Sequence, residues 1–170
     1  MSNAKSVMWK GQPTPLLGAD IKEGDNAPDC ELVGTDQGVR KLSEFAGKVR
    51  IFSAVPSLET GVCDAETRRF NQIAAGLGDE VAILTISMDL PFTQKRWCGA
   101  AGIDKVTVLS DHREAAFGMK YGVLMEGLRL LARCVFVVDK NGVVRYRQLV
   151  KETGTEPNYD EVIAAVKKLL

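Results

Sequence analysis

The chain is poor in the residues that most often announce chemistry. It has one histidine, His112, and four cysteines, Cys30, Cys63, Cys98 and Cys134, spread through 170 residues. No two cysteines form a C-x-x-C pair and none neighbours His112, so a zinc centre has no ligand spacing to rest on, and neither a metal nor a cofactor is expected. Lys plus Arg and Asp plus Glu balance at 22 each, with no long basic run. That removes the electrostatic basis for binding nucleic acid or a membrane surface. No apolar run reaches the length of a transmembrane helix, and the opening "MSNAKSVMWKGQPTPLLG" lacks the apolar segment of a secretory signal. The expected location is the cytoplasm, where thiols stay free unless a redox cycle uses them. There is no internal repeat and no low-complexity segment.

What is present reads as one globular domain, residues 1–170, with 45% hydrophobic residues and an N-terminal β extension over 1–20. The extension is a hairpin turning near Gly11. "CELVG" and "GVRKL" read as short strands, and Ser43 is placed to cap a brief helical turn, "SEFAGK". "KVRIFSAV" reads as a strand ended by Pro56, "GVCDAETRRFNQIAAGL" as a helix ended by Gly78, and the apolar "VAILTISM" as a buried parallel strand. A helix follows in "DLPFTQKRWCGAAG", ended by Gly99 or Gly102, then the strand "VTVLS". "SDHREAAFGMKYG" reads as a helix capped by Ser110. "RCVFVVD" and "VVRYRQLV" flank Asn141-Gly142, a strong hairpin signal. "NYDEVIAAVKKLL" is an amphipathic helix with Asn158 and Glu161 at capping-box spacing. This order predicts an α/β fold of thioredoxin-like architecture: a central mixed sheet flanked by helices, with the last two strands antiparallel.

The stretch "VPSLETGVC", Val55 to Cys63, lies where strand becomes helix. In such sheets, ligands and reactive groups collect at the carboxyl ends of the parallel strands. Cys63 falls in the helix's first turn, where unpaired N–H groups and the positive end of the helix dipole favour a thiolate. Thr60 can set its hydroxyl beside the sulfur or beside an attacking substrate. Pro56 fixes the approach of the chain and removes a donor. Plainer alternatives stand beside these: Cys63 as a small buried hydrophobe and Thr60 as an N-cap only. Arg68 and Arg69 either neighbour the thiol as charges or form a solvated face. His112 reads as a surface residue rather than a base. Cys98 reads, on its own, as a core thiol under Trp97.

"PSLETGVC" resembles the P-S-x-[DE]-T-x-V-C signature of the thiol peroxidase subfamily of peroxiredoxins. "LVGTD", "SEFAGK", "RRFNQ", "DLPF", "RWCGA", "LSDHR", "YGV", "LARCVFVVD" and "EPNYD" resemble family segments in the family's order. The resemblance implies a thioredoxin-like fold, a homodimer, and reduction of hydrogen peroxide and organic hydroperoxides with thioredoxin as reductant. Carried over by position, it implies Cys63 as the peroxidatic cysteine and Thr60 as the hydroxyl that bonds thiolate and peroxide. It further implies Pro56 as the shield of the sulfur, Arg133 as the arginine completing the site, and Cys98 as the resolving cysteine of an intramolecular Cys63–Cys98 disulfide. Cys30 and Cys134 lie outside the signature and read as packing thiols. The chemistry agrees with these roles. A thiolate attacks the O–O bond, an arginine and a hydroxyl support the charge of the departing oxygen, and the sulfenic acid condenses with a thiol.

Two other readings compete. A thioredoxin-like disulfide reductase or chaperone would carry C-x-x-C at the helix start, where this chain has Val62-Cys63-Asp64 with no partner two away. A redox sensor would share the first oxidation and pass its disulfide to a partner protein. Under the peroxidase reading the two sulfurs are expected to stand apart in the reduced protein. The turn from Gly61 to Glu66 and the helix "FTQKRWCGA" would then loosen to let them meet.

Overall fold

The computed structural model of the chain describes residues 5–170, so the first four positions of the expected extension lie outside the described residues. The extension is a hairpin, β1 (Ser6–Trp9) and β2 (Gln12–Leu17), turned through Lys10 and Gly11, both at positive φ. There follow β3 (Glu31–Gly34), β4 (Val39–Lys41), a 3-10 turn (Leu42–Phe45), β5 (Val49–Ala54), α1 (Gly61–Leu77) and β6 (Val81–Ser87). The chain continues with α2 (Pro91–Ala101), β7 (Thr107–Ser110), α3 (Ala116–Lys120), β8 (Leu124–Met125), β9 (Cys134–Val138), β10 (Val144–Leu149) and α4 (Tyr159–Lys167). The main sheet runs β10-β9-β5-β6-β7-β3-β4, and β1-β2-β8 form a smaller one. β5, β6 and β7 are parallel, and β9 joins β5 antiparallel. This is the thioredoxin-like mixed sheet with flanking helices and an N-terminal hairpin that the sequence predicts.

Period-two alternation divides the core between the two faces of the sheet. From β5 and β9, Phe52, Ala54, Cys134, Phe136 and Val138 face one side; there they meet Phe117, Tyr121 and the hairpin's Val7. Phe117 and Tyr121 stack at 4.3 Å between centroids, and Phe52 and Phe136 meet them edge-on. Ile51, Val135 and Val137 face the other side, under Phe70 and Ile73 of α1, Trp97 of α2, and Val162 and Val166 of α4. Burial of each Val, Ile or Phe side chain among these stabilises the fold by roughly 1.5–3 kcal/mol.

Some local expectations differ from the structure. Ser110 does not cap a helix: it ends β7, pairs with Ser87 and Val33, and donates its hydroxyl to the Asp89 carbonyl. The following helix is only five residues long, and the Asp111 carboxylate accepts from its Phe117 and Gly118 N–H groups at 3.0 and 2.8 Å. His112 therefore lies in a turn, half-buried, rather than in a helix. Ser43 sits inside the 3-10 turn; its N–H donates to Asp29, while the Glu44 carboxylate takes the Lys41 N–H. Of the two glycines offered as the end of α2, Gly102 is the one, in the left-handed region at φ 68°. Half of the Asn158–Glu161 capping box forms: Asn158 accepts from the Glu161 N–H, but the Glu161 carboxylate turns to the Tyr146 hydroxyl. The two-residue β8 has no sequence signal of its own and exists because β2 lies beside it.

Candidate active site

The corner between β5 and α1 is held from below by one carboxylate. Asp89, just past β6, accepts from the Ser57 hydroxyl at 2.7 Å, the Leu58 N–H at 2.8 Å and the Ser87 hydroxyl at 2.8 Å. Pro56 and Leu58 are buried on this support. Thr60 occupies the N-cap position of α1 with extended backbone, yet its side chain does not cap. Its hydroxyl donates to the Ser57 carbonyl at 3.1 Å, and not to the cysteine sulfur, leaving its oxygen lone pairs free to accept. One turn into the helix, Cys63 is fully buried.

Arg133 reaches Cys63 because of sheet topology. β9 pairs antiparallel with β5 so that Cys134 lies opposite Ala54, which puts the residue before Cys134 at the carboxyl end of β5. There the Arg133 guanidinium, 1% exposed, donates through Nη2 to Cys63 Sγ at 3.3 Å. Its Nε and Nη2 donate to the Thr153 carbonyl at 3.1 and 2.9 Å, and Nη1 pairs with Glu66 Oε2 at 2.5 Å. Glu66 is itself fully buried, and its Oε1 accepts from the Ser53 hydroxyl at 2.9 Å. Burial pushes the Glu66 carboxyl up, while Arg133 and Ser53 draw it back. Burial works against the charge on Arg133, but the anionic Glu66 and the sulfur outweigh it and hold the guanidinium charged. The Cys63 sulfur thus faces a fixed cation and hydrogen-bond donor.

Pro56, Thr60 and Arg133 line one cleft of about 320 Å³, with Trp9, Val62 and Thr153 among its other walls. Cys63 lies behind this wall in contact with Arg133. Four of the five expected site residues thus come together. The fifth, Cys98, does not: half-buried on α2, it lines a different cleft with Gly34, Arg40 and Val106, and all four cysteines are unpaired. Burial pushes its thiol up. Cys30 and Cys134 are buried in the core on the opposite face of the sheet, where burial pushes each thiol up to about 12. Arg68 pairs with Asp64 and Arg69 lies over the Tyr159 ring, both on the exposed side of α1, as the solvated-face alternative has it.

Residues 22–163 match the Redoxin family. The chain is 54% identical over 168 residues to the thiol peroxidase of Oceanobacillus iheyensis, covering 99% of this chain and 100% of that one. It is 52% identical over 164 residues to the thiol peroxidase of Bacillus subtilis, covering 96% and 98%. The chain belongs to the thiol peroxidase family of peroxiredoxins. Its activity is that family's thiol-dependent reduction of peroxide. Among solved structures, the peroxiredoxin-like protein of Aquifex aeolicus superposes with a TM-score of 0.92 at 45% identity over 98% of both chains. A thiol peroxidase from Chromobacterium violaceum shares the fold, with a TM-score of 0.84 at 21% identity over 96% of this chain and 95% of that one. No helix of the described residues is long and apolar enough to cross a membrane.

Sequence reasoning missed two supports of this candidate site, Glu66 and Asp89. Glu66 carries a readable signal, since it lies three positions after Cys63 and so on the same helical face, a charge within an otherwise apolar stripe. Asp89 carries none, because its partners at Ser57 and Leu58 are 32 and 31 positions away.

Proposed function

We propose that Cys63 is the peroxidatic residue of this thiol peroxidase, with Arg133, Thr60 and Pro56 completing its site. The observation that carries this is the 3.3 Å contact from the buried Arg133 guanidinium to Cys63 Sγ, at the wall of the cleft that Thr60 and Pro56 share. The thiolate attacks one peroxide oxygen; the O–O bond breaks, sulfur becomes a sulfenic acid, and the other oxygen leaves as alcohol or water once protonated. Arg133 stabilises the charge that develops on oxygen, joined by the Thr60 hydroxyl as its proton turns from the Ser57 carbonyl to the peroxide, while Pro56 keeps water from the sulfur.

Cys98 is the resolving thiol. It attacks the Cys63 sulfenic acid, forming the disulfide and releasing water. Bridging requires Cα atoms within roughly 7 Å and converging Cβ vectors. Cys63 is fully buried, Cys98 opens to a different cleft and the two are unpaired, so in this scheme the first turn of α1 and the helix α2 loosen. Gly61 and Gly99 have nothing packed where a side chain would be, which leaves the two segments free to bend. Thioredoxin then reduces the disulfide by exchange, and the chain works as a homodimer on hydrogen peroxide and organic hydroperoxides in the cytoplasm.

Intact-mass measurement after one equivalent of hydroperoxide tests the scheme. Wild type should lose two hydrogens, as a disulfide. Cys98→Ser should gain one oxygen, stall with thioredoxin as reductant, and gain a second oxygen with excess peroxide. A disulfide in Cys98→Ser at the wild-type rate would overturn the pairing.

Thr60 supplies a further test. Thr60→Val removes the hydroxyl at nearly constant shape and should slow the first oxidation by roughly 10²–10³, the usual effect of one transition-state donor. Thr60→Ser should stay within about tenfold of wild type on the same scale. Stopped-flow oxidation of Cys63 measures both, and equal rates for Val and Ser would remove the hydroxyl from the reaction.

A further inference from the structure

The two segments that hold the cysteines are joined by one carboxylate. Asp64 follows Cys63 in the chain, and Trp97 precedes Cys98. Asp64 Oδ1 accepts from Trp97 Nε1 at 2.8 Å, and its Oδ2 accepts from Arg68 Nε at 2.8 Å. The Arg68 guanidinium also lies over the indole, 5.7 Å from the ring centroid, and reaches the carbonyl of Ala101, the last residue of α2, at 3.5 Å. Trp97 is 7% exposed and packs into the same core cluster as Cys63 and Phe70. A second tie, the Arg96–Glu59 ion pair, sits on the surface with both side chains about half exposed or more, where such pairs contribute little. The hydrogen bond from the buried indole to a charged carboxylate is of the strong class.

We propose that Asp64 is a positioning residue that gates disulfide formation: through Trp97 and Arg68 it holds the start of α1 against the end of α2, and so sets how the oxidised Cys63 divides between resolution and further oxidation. The inference rests on the Cys63–Cys98 pairing above. In resolution, the Cys98 sulfur attacks Cys63–SOH; the S–S bond forms, the S–O bond breaks, and hydroxide leaves with the thiol proton as water. In further oxidation, the Cys63 sulfenate attacks a second hydroperoxide; the O–O bond breaks, sulfur gains an oxygen to become sulfinic, and the peroxide is reduced to alcohol or water. Resolution needs the first turn of α1 and the helix α2 to loosen from their packed arrangement so that the two sulfurs can meet. The initial oxidation and the further oxidation both take place in the closed site. Weakening the tie therefore speeds resolution and leaves the two peroxide reactions as they are.

The test compares wild type with Trp97→Phe, which keeps an aromatic ring but removes the donor, and with Asp64→Asn, which keeps an acceptor but removes the charge. Rapid quenching and mass spectrometry follow the thiol, sulfenic, disulfide and sulfinic forms. Trp97→Phe should form the disulfide about tenfold faster, the effect expected for losing one hydrogen bond to a charged group, and Asp64→Asn should fall between it and wild type. The peroxide concentration giving half sulfinic acid should rise by the same factor in each variant. The rate of the first oxidation should stay within about twofold of wild type, small against that tenfold change. Disulfide formation at or below the wild-type rate in both variants overturns the gate. So does a fall in melting temperature with no change in the partition between disulfide and sulfinic acid, the mark of a merely structural bond. If wild type itself forms no Cys63–Cys98 disulfide, the pairing fails and the gate with it. If wild type forms the disulfide and the variants only match it, the gate alone fails.

Discussion

Cys63→Ser is expected to leave no measurable thiol-dependent peroxide consumption while the chain remains folded. The replacement is close to isosteric and keeps an atom that can accept the Arg133 Nη2 hydrogen bond now made to sulfur at 3.3 Å. Stability should therefore change by no more than about 1 kcal/mol, the scale of a mild single substitution. Chemistry fails for a different reason. A serine hydroxyl stays protonated at neutral pH and has no accessible sulfenic state, so neither the attack on the O–O bond nor the later condensation has a substitute. Peroxide consumption in a coupled assay, read beside far-ultraviolet circular dichroism, checks both halves. Turnover near the wild-type rate would show that another thiol is the nucleophile; Cys98 would then be the first to test, since Cys30 and Cys134 are buried on the other face of the sheet.

Arg133→Ala should have two effects that a second substitution separates. The family resemblance implies only an arginine that completes the site. The structure shows a guanidinium that also neutralises Glu66 inside the protein, both side chains being at most 2% exposed. Truncation leaves a carboxylate buried without its cation, which typically costs about 3–5 kcal/mol. It also removes a transition-state donor, worth roughly 10²–10³ in the rate of the first oxidation. Arg133→Ala with Glu66→Gln removes the uncompensated charge and should recover most of the lost stability. It should recover none of the rate, because the donor to sulfur and peroxide is still missing. Denaturant unfolding and stopped-flow oxidation measure the two quantities. Recovery of rate along with stability would mean that Arg133 acts only as a structural partner of Glu66.

The elements that carry the site are legible because their signals are local. Pro56 ends β5, Thr60 to Cys63 opens α1, and Asn141-Gly142 turns β9 into β10. Each depends on a dihedral preference or a periodicity spanning fewer than about a dozen residues. The helix misplaced at Ser110 shows the limit of such signals. Ser110 has the chemistry of a cap, but tertiary pairing with Ser87 and Val33 claims it for β7, and Asp111 takes over the capping of α3.

By itself the sequence determined most of the strands and helices of the main sheet and the thiol at the first turn of α1, since backbone preference, apolar period and an ordered set of family-like segments are all properties of the chain as written. The tertiary structure alone decided which distant groups surround that thiol. Arg133 lies 70 positions after Cys63 in the chain and reaches it because β9 runs antiparallel beside β5. Glu66 is tolerable in the core only because Arg133 and Ser53 arrive beside it, and Asp64 meets Trp97 only because α1 and α2 share one face of the sheet. A buried charge or an indole N–H is a cost until a partner comes within hydrogen-bonding distance, and strand order, not spacing along the chain, settles which partner that is.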